Sequence, residues 1–213
     1  MKKSTENFLT ELIKKYPSLS VCEKDIKTAY ELLYSCYKNS GKVLVCGNGG
    51  SAADSEHIVG ELMKGFHLPR KLTAEDKSVF SELPDGEKIA EGLQKSLPAI
   101  SLVSHTGLMT AFLNDCDPEF LFAQQVYGYM KAPDVLIGLS TSGNSKNVVN
   151  ACVTAKALKG KTIAITGAKD SKLLGICDAT IKVPSESTAE IQEYTLPVYH
   201  CICAMLEEEF FGE

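Results

Sequence analysis

The sequence predicts an α/β domain in which a five-stranded parallel sheet is covered by helices on both faces. The first observation is an alternation of short apolar segments with helical patterns along most of the chain. The predicted strands lie at 42–46, 98–103, 134–139, 161–166 and 178–183, and the predicted helices lie near 51–65, 117–130, 144–158 and 188–210. Such alternation is typical of parallel sheets, because parallel neighbours need a crossover connection. The second observation is the length of 213 residues, which suits one such domain with a full core.

Two further helices are predicted before the first strand, within residues 1–40. Apolar residues spaced three or four apart line one face of each helix. The first face consists of Phe8, Leu9, Leu12 and Ile13, and the second consists of Ile26, Ala29, Tyr30, Leu33 and Tyr37. The break between the two helices is expected at Pro17 and Ser18.

The first strand ends in a glycine-rich turn at residues 47–51 (Gly-Asn-Gly-Gly-Ser), which begins the next helix. Glycines let the backbone turn tightly and approach a ligand, and a helix N-terminus attracts anions such as phosphate. The turn lacks the Lys-Ser/Thr ending of a P-loop. Ala52 stands where a dinucleotide-binding fingerprint has its third glycine, so that match is weak. Tight packing of strand against helix is the alternative explanation for a single turn of this kind.

The segment 67–97 interrupts the alternation of strands and helices. It is charged and contains Pro69 and Pro84, and about thirty residues is long for a connection in a compact domain. We expect a functional insertion or lid, or a mobile segment, with a short helix between Asp85 and Lys95.

The third strand ends in a second turn, at residues 140–145 (Ser-Thr-Ser-Gly-Asn-Ser), in which hydroxyl groups replace most of the glycines. The carboxyl ends of parallel strands meet at one edge of a sheet, where ligands of such folds bind. Both turns are expected at that edge. Two phosphate-type turns together indicate a phosphorylated small molecule as the ligand.

The composition limits the possible cellular location and binding partners of the protein. Hydrophobic residues make up 44% and charged residues 23%, as in ordinary globular proteins. The net charge of −5 argues against nucleic acid or an anionic membrane as the main partner, and no apolar run is long enough for a membrane span. The first residues lack the apolar core of a signal peptide. The eight cysteines are scattered, which favours reduced, mostly buried thiols, and we expect a cytoplasmic protein.

Four side chains on two predicted helices are candidates for chemistry. His57 and Glu61 are four residues apart and share one helix face, a spacing that suits metal ligation and equally suits an ordinary surface pair. Gln192 and His200 lie in the apolar last helix, where a single histidine is more often a core residue. They are about 12 Å apart in helix rise, so one site requires converging side chains, a distorted helix or two chains. Pro197 between them is expected to kink or break the helix.

These residues resemble those of the sugar isomerase (SIS) domain family, and within it the phosphoheptose isomerases. The resemblance covers most of the chain except the insertion. The matching segments are 46–54 (Cys-Gly-Asn-Gly-Gly-Ser-Ala-Ala-Asp), His57, Glu61, Asn114-Asp115, 140–145, 191–193 (Ile-Gln-Glu) and His200. The resemblance implies a flavodoxin-like three-layer sandwich, a single SIS domain over residues 1–213, and a homotetramer with active sites between subunits.

The implied reaction is an aldose–ketose isomerisation that converts sedoheptulose 7-phosphate into D-glycero-D-manno-heptose 7-phosphate through an enediol or enediolate. The resemblance assigns acid–base catalysis to Glu61 and His200. It assigns substrate binding to Asn48, Gly49, Ser51, Asp115, Ser140, Thr141, Ser142, Ser145 and Gln192. It also implies one Zn²⁺ per active site, bound by His57, Glu61, Gln192 and His200. These residue types suit proton transfer at carbon and polarisation of a carbonyl by a metal, although a Gln ligand is unusual.

Departures from the family pattern leave two alternatives open. Many members have an arginine where this chain has Lys64-Gly65 before Phe66, so an anion contact is either lost or taken by Lys64 or Arg70. The insertion also has the potential to reshape the sugar end of the pocket. The alternatives are an isomerase of another sugar phosphate and a non-catalytic SIS protein that binds a phosphosugar or regulates replication initiation. The presence of Glu61, Gln192 and His200 favours an enzyme.

Overall fold

The computed structural model describes residues 1–212 and contains ten α-helices and five strands within them. The helices are α1 (Lys3–Lys15), α2 (Glu23–Lys38), α3 (Gly50–Met63), α4 (Ala74–Ser78), α5 (Gly86–Gly92), α6 (Thr106–Asp115), α7 (Leu121–Tyr129), α8 (Lys146–Ala157), α9 (Lys172–Ile176) and α10 (Thr188–Phe211). The strands are β1 (Val43–Gly47), β2 (Ala99–Ser101), β3 (Val135–Leu139), β4 (Lys161–Thr166) and β5 (Ala179–Lys182). Short 3₁₀ helices at Pro17–Cys22 and Pro118–Phe120 precede α2 and α7.

The five strands form one sheet in the order β2-β1-β3-β4-β5, and every pair is parallel. This is the strand order of flavodoxin-like folds, so the predicted α/β sandwich is confirmed. The chain moves outward from β1 to β2 on one side and returns to β3 on the other. The sheet therefore has its switch point between β1 and β3, where the register pairs Val43 with Val135 and Gly47 with Leu139.

The sheet separates two hydrophobic cores, because successive strand residues point to opposite faces. Val43 and Val45 of β1 face the core that α1, α2, α3 and α10 cover. Leu44 and Cys46 face the core that α7, α8 and α9 cover. All residues of β1 and β3 are buried, as expected for the central strands of a sheet with helices on both faces.

The last helix, α10, is unbroken from Thr188 to Phe211 and packs against α1, α2 and α3. Of the two effects expected of Pro197, the break is wrong, because the helix continues past the residue that lacks a backbone N–H, and the kink stays a prediction. The start of the chain is tied to the end of this helix, because Thr5 donates to the Glu209 carboxylate at 2.7 Å. No helix within residues 1–212 combines the length and the apolar character needed to cross a membrane.

The segment 67–97 forms two short helices rather than an open loop. The predicted helix between Asp85 and Lys95 is confirmed as α5, while α4, α6 and α9 were not predicted. A capping box between Thr73 and Asp76 begins α4. A bridge between Lys71 and Gln94 closes the base of the insertion.

Replacing either of two glycines near the ends of α3 with alanine is expected to change the free energy of unfolding in opposite directions. A Cβ on Gly47 would lie 2.6–2.8 Å from backbone and Cβ atoms of Ser51, whereas a Cβ on Gly60 would meet nothing within 4 Å. We expect Gly47→Ala to lower the free energy of unfolding by about 1–3 kcal/mol, because the strand-to-helix turn must open. Gly60→Ala should raise it by about 0.5–1 kcal/mol through helix propensity. Urea denaturation of both variants measures the two values, and equal effects would contradict this account of the turn.

Candidate functional site

The two predicted anion-binding turns lie side by side at the switch point of the sheet. The glycine turn connects β1 to α3, and the serine turn, residues 140–145, connects β3 to α8. Because Gly47 and Leu139 are register partners at the ends of neighbouring strands, the two turns begin next to each other. The N-termini of two helices therefore face the same edge of the sheet, which favours binding of an anion there.

The glycine turn is shaped by close approach of the backbone to its neighbours. Gly49 has φ of +58° and lies just before α3, a conformation that favours glycine. A Cβ on Gly50 would lie 2.5 Å from Nε2 of Gln192, so glycine at this position leaves room for the Gln192 side chain. Ser51 is buried in the first turn of α3, and Asn48 is exposed beside it.

The serine turn presents hydroxyl groups around the N-terminus of α8. The hydroxyls of Ser140 and Ser145 are 2.9 Å apart, and the Ser142 hydroxyl accepts from the Asn144 backbone N–H at 3.2 Å. A cavity of about 210 Å³ opens beside this turn. Its lining includes Thr141, Ser142, Asn144, Gly167, Ser185 and Thr188.

A pair of asparagines joins the glycine turn to the first turn of α8. Asn48 donates to Oδ1 of Asn147 at 3.0 Å, and Asn147 donates to Oδ1 of Asn48 at 2.9 Å. The two side-chain amides therefore satisfy each other across the switch point. Sequence reasoning did not identify Asn147, because no local signal marks a partner 99 residues away along the chain.

A second group of side chains lies on α3 and α10, away from the turns. Nε2 of His57 is 3.1 Å from Oε1 of Glu61 and 3.4 Å from Nε2 of His200. The Glu61 side chain is 11% exposed and that of His57 is 43% exposed, so the group lies at the edge of the core and opens to solvent on one side. We call His57, Glu61 and His200 the acid–base cluster.

The electrostatic environment sets the protonation of His200. Burial lowers the pKa of the His200 ring below its ordinary value of 6.5, and the neighbouring His57 lowers it further. Glu61 opposes this shift, but the net direction is downward. His200 is consequently neutral at pH 7 and able to accept a proton.

Tyr199 connects the acid–base cluster to a carboxylate that sequence reasoning did not assign to the site. The Tyr199 hydroxyl lies 2.9 Å from Nδ1 of His57 and donates to Oδ1 of Asp54 at 3.1 Å. Tyr199 is 2% exposed, and burial raises the pKa of its hydroxyl, which is therefore protonated. Burial also raises the pKa of Asp54, while the hydrogen bond from Tyr199 lowers it in part.

The four expected zinc ligands are not all together in the single chain. His57, Glu61 and His200 converge, whereas Gln192 lies beside Gly50, at the other end of α3. Among residues 1–212, no group of three or more His, Cys, Asp or Glu side chains has the geometry to hold a metal ion. The two distances within the cluster do fit a pair of ligands on one tetrahedral zinc, which lie roughly 3.3 Å apart when each is about 2.0 Å from the metal.

A buried ion pair fixes the C-terminal end of α3. Nε of Arg70 donates to Glu207 at 2.6 Å, and its other nitrogens donate to the backbone carbonyls of Leu62 and Glu61 at 2.7 and 3.0 Å. Glu207 also accepts from the backbone N–H groups of residues 66–68. The Arg70 side chain is completely buried, so the suggestion that Arg70 contacts the substrate anion is wrong. Lys64 lies 3.4 Å from Glu61 and remains the exposed cation at this end.

Asp115 is the predicted substrate-binding residue that lies on α6. It is exposed at the end of α6, and Oδ1 accepts from the side chain of Asn114 at 2.8 Å. Among the hydrogen bonds of the described chain, none joins Asp115 to the two turns or to the acid–base cluster.

Comparison with known proteins agrees with this geometry. Sequence models of the SIS domain match residues 102–204 and 9–85. The phosphoheptose isomerase of Clostridium acetobutylicum is 37% identical over 89% of this chain and 85% of its own length, and that of Helicobacter pylori strain P12 is 38% identical over 94% and 91%. Two solved phosphoheptose isomerase structures superpose well. The Neisseria gonorrhoeae protein has a TM-score of 0.72 at 32% identity, covering 92% of this chain and 94% of its own. The Francisella tularensis protein has a TM-score of 0.75 at 28% identity, covering 98% and 100%.

The Arg70–Glu207 pair predicts a pH-dependent loss of stability when it is broken. Burial alone would raise the pKa of Glu207, but the hydrogen bonds from residues 66 and 67 and the Arg70 guanidinium hold that pKa below 4.5. The ionised carboxylate therefore stabilises the fold above about pH 4.5, and this contribution is lost as pH falls through the lowered pKa. Glu207→Gln should lower the free energy of unfolding by about 3–5 kcal/mol at pH 7, since it leaves Arg70 buried without a counter-ion.

Urea denaturation at pH 7 and at acid pH measures this loss and its pH dependence. The matched control is Glu11→Gln, because Glu11 pairs with Lys14 on the exposed face of α1. The control should change stability by less than about 0.5 kcal/mol. A pH-independent loss for Glu207→Gln would contradict the role given to the ionised carboxylate.

Proposed function

This chain belongs to the phosphoheptose isomerase family of SIS domain proteins, and on that premise we propose that it interconverts sedoheptulose 7-phosphate and D-glycero-D-manno-heptose 7-phosphate. One structural observation supports this proposal independently of the family relationship. Helix α3 has a phosphate-type turn at its N-terminus and carries His57 and Glu61 of the acid–base cluster about two turns further along. An anion-binding end and a proton-transfer end are what the isomerisation of a phosphorylated sugar requires.

The spacing of the two ends matches the size of the proposed substrate. Six residues separate Ser51 from His57, which corresponds to about 9 Å of helix rise. The Glu61 carboxylate lies level with His57 because helical side chains lean towards the N-terminus. An extended seven-carbon sugar has a comparable length between its phosphate and its first two carbons. A heptose phosphate bound along α3 would thus place its reacting carbons beside Glu61.

The phosphate would be held by the two helix N-termini and the hydroxyls of the serine turn. Backbone N–H groups and hydroxyls bind phosphate without a fixed counter-ion, as at other helix N-termini. The residues proposed for the phosphate are Ser51, Ser140, Thr141, Ser142 and Ser145. The residues proposed for the sugar hydroxyls are Asn48, Gly49, Asp115 and Gln192.

Proton transfer is assigned to the acid–base cluster. Isomerisation moves a proton between the first two carbons, while the oxygens on those carbons exchange the carbonyl character. Glu61 is proposed to take the proton from carbon, because its carboxylate is nearly buried and lies beside the open face of the cluster. His200 is neutral at pH 7 because its pKa is lowered by burial and by His57, so it can exchange a proton with the sugar oxygens.

Zinc remains a proposal, supported by the chemistry of the donor atoms. Nε2 of His57 lies 3.1 Å from the Glu61 oxygen and 3.4 Å from the His200 nitrogen, and each separation by itself suits two ligands of one Zn²⁺, with Gln192 as the further proposed ligand. A bound Zn²⁺ would polarise the sugar carbonyl and stabilise negative charge on its oxygen. The phosphate would be bound, and the protons would be transferred at Glu61 and His200, by groups of the protein and not by the metal.

A homotetramer with active sites between subunits is the proposed assembly. Two observations support an interface at α6. This helix has no buried residue, and Leu108 and Leu113 are 40% and 49% exposed. Further exposed apolar side chains lie on the neighbouring α7 and α8, including Tyr127 and Val153. A partner covering α6 would bring its own residues close to Asp115, the last residue of this helix.

A cytoplasmic location is proposed from the thiols. All eight cysteines are free, and burial is the main cause of a raised thiol pKa in five of them: Cys22, Cys36, Cys46, Cys201 and Cys203. Unpaired, protonated thiols in such number are typical of proteins kept in a reducing compartment.

The proposed reaction predicts a large loss of activity for Glu61→Gln. NMR of sedoheptulose 7-phosphate with the wild-type protein, with and without added Zn²⁺, should show conversion to the aldoheptose phosphate. Glu61→Gln should slow this conversion by about 10²–10⁴-fold, the usual contribution of general acid–base catalysis. The matched control is Glu56→Gln on the same helix, where the carboxylate accepts from Ser104 on the exposed surface.

The control should retain the wild-type rate. Conversion of a different sugar phosphate but not of sedoheptulose 7-phosphate would favour the alternative substrate. Binding of the phosphosugar without any conversion would favour the non-catalytic alternative.

The proposed tetramer predicts that a charged substitution on α6 lowers the mass of the assembled protein. The wild-type protein should sediment at about four times the chain mass of 23.1 kDa. Leu113→Glu should yield smaller species, because a buried charge without a partner disfavours the interface. Val79→Glu is the control, since Val79 is 71% exposed on the insertion. A wild-type monomer, or an unchanged mass for Leu113→Glu, would contradict the proposed interface.

A further inference from the structure

We propose that Cys152 and Cys177 form an oxidisable pair, which a hydroperoxide closes to a disulfide, and that closure loosens the serine turn of the candidate site. The two residues come from different elements. Cys152 lies on α8 and is completely buried in the core that α7, α8 and α9 cover. Cys177 directly follows α9, packs against the same core and is partly exposed. The proposal does not rest on the isomerase reaction.

The contacts around the oxidisable pair hold its two sulfur atoms together. One helical turn after Cys152, Lys156 forms an ion pair at 3.5 Å with Asp178, the residue after Cys177. Residues four apart share a helix face, so this ion pair brings Cys152 alongside Cys177. The thiol of Cys152 donates a hydrogen bond to the sulfur of Cys177. Two cysteines can be bridged without rebuilding the backbone only when they already lie this close.

The two thiols differ in acidity, as an attacking thiol and a resolving thiol should. The hydrogen bond from Cys152 lowers the pKa of Cys177 below its ordinary value, although burial opposes the shift. Thr162 and Lys156 lower this pKa further. The same hydrogen bond, together with burial, raises the pKa of Cys152. Cys177 is therefore the thiol that is both accessible and more easily ionised, and Cys152 keeps its proton until it reacts.

The proposed reaction consumes one molecule of hydroperoxide. The Cys177 thiolate attacks a peroxide oxygen, and the O–O bond breaks to give a sulfenic acid on Cys177 and, after uptake of a proton, one molecule of alcohol or water. The sulfur of Cys152 then attacks the sulfenic sulfur. The S–S bond forms, and the hydroxyl group leaves with the thiol proton of Cys152 as water. The two thiols are oxidised and the peroxide is reduced. Transient disulfides of this kind occur in reducing compartments.

The oxidisable pair is connected to the serine turn through α9. The backbone N–H of Lys172 donates to Oδ1 of Asn144 at 3.0 Å, and that of Leu173 donates to the carbonyl of Gly143 at 3.2 Å. The N–H of Cys177 donates to the Leu173 carbonyl at 2.9 Å, so the two ends of this short helix move together. A disulfide shortens the distance between the sulfurs to about 2.05 Å. Closure therefore shifts α9 and strains the two hydrogen bonds at its start.

Peptide mapping after treatment with hydrogen peroxide tests the oxidisable pair. Trypsin cuts after lysine, so Cys152 falls in peptide 147–156, Cys177 in peptide 173–182 and Cys46 in peptide 43–64. We expect mass spectrometry without reductant to find 147–156 linked to 173–182, and reduction to separate them. Cys152→Ala should leave Cys177 as a sulfenic acid that dimedone traps. Cys177→Ser should abolish the link and leave Cys152 as a free thiol.

Cys116→Ser is the matched control, because Cys116 is an exposed thiol that follows α6. This variant should still link 147–156 to 173–182. A wild-type protein without this link would overturn the proposal, and so would a link from Cys177 to Cys46, another buried thiol of the same core. Because Cys152→Ala and Cys177→Ser change different elements, a folding defect in one leaves the other as the test.

Hydrogen exchange measures the effect of closure on the serine turn. In the oxidised wild-type protein, the amides of Lys172 and Leu173 should exchange about 10-fold faster than in the reduced protein, because they lose their bonds to Asn144 and Gly143. Cys177→Ser should exchange equally fast with and without peroxide. Unchanged or slower exchange in a protein that carries the disulfide would overturn the effect on the turn. Neither measurement requires catalysis, so both remain decisive if the isomerase proposal fails.

Discussion

The contact between α3 and α10 is the constraint on which the candidate site depends. Gln192 covers Gly50 at the first turn of α3, Tyr199 and His200 meet His57 in the middle, and the Glu207 carboxylate binds Arg70 at the end. Because Arg70 also donates to the carbonyl of Glu61, the buried ion pair holds the very turn that carries the proposed base. A shift of one helix along the other would separate His200 from Glu61. The chain fixes this register with a charged pair in the core, which is costly to bury and therefore demanding in its geometry.

The strand order explains why the anion-binding end of the site lies where it does. In the order β2-β1-β3-β4-β5, the connections after β1 and β3 leave the sheet in opposite senses and open a crevice between them. The glycine turn and the serine turn both begin in this crevice, and the reciprocal Asn48–Asn147 bonds hold the glycine turn to the first turn of α8. The phosphate end of the site is thus a property of the topology. The position of the acid–base cluster, in contrast, is determined by the packing of α10 against α3.

The features that were predicted correctly from the sequence are those that local residue patterns determine. Strand positions followed from apolar runs bounded by turns, and both turns followed from their glycines and serines. The unpredicted helix α6 carries apolar residues on more than one side: Met109 and Phe112 pack against the core, whereas Leu108 and Leu113 are exposed. Asn147, Tyr199 and the Arg70–Glu207 pair escaped prediction because each acts through a partner between 99 and 145 residues away along the chain. The sequence does not show whether an arginine is buried in an ion pair or exposed to bind an anion, so the role of Arg70 became clear only from its burial in the structure. The separation of Gln192 from His200 was anticipated from helix rise, and it persists in the structure because α10 is unbroken.

The central claim is that one substrate bridges the phosphate-type turns and the acid–base cluster along α3. A crystal structure of the Glu61→Gln protein with sedoheptulose 7-phosphate tests this claim most directly, because the variant should bind the sugar without converting it. We predict the phosphate within hydrogen-bond distance of Ser51 and the serine turn, and the first two carbons of the sugar beside residue 61 and His200. A phosphate bound away from these turns, or a sugar that extends from them away from the cluster, would contradict the account.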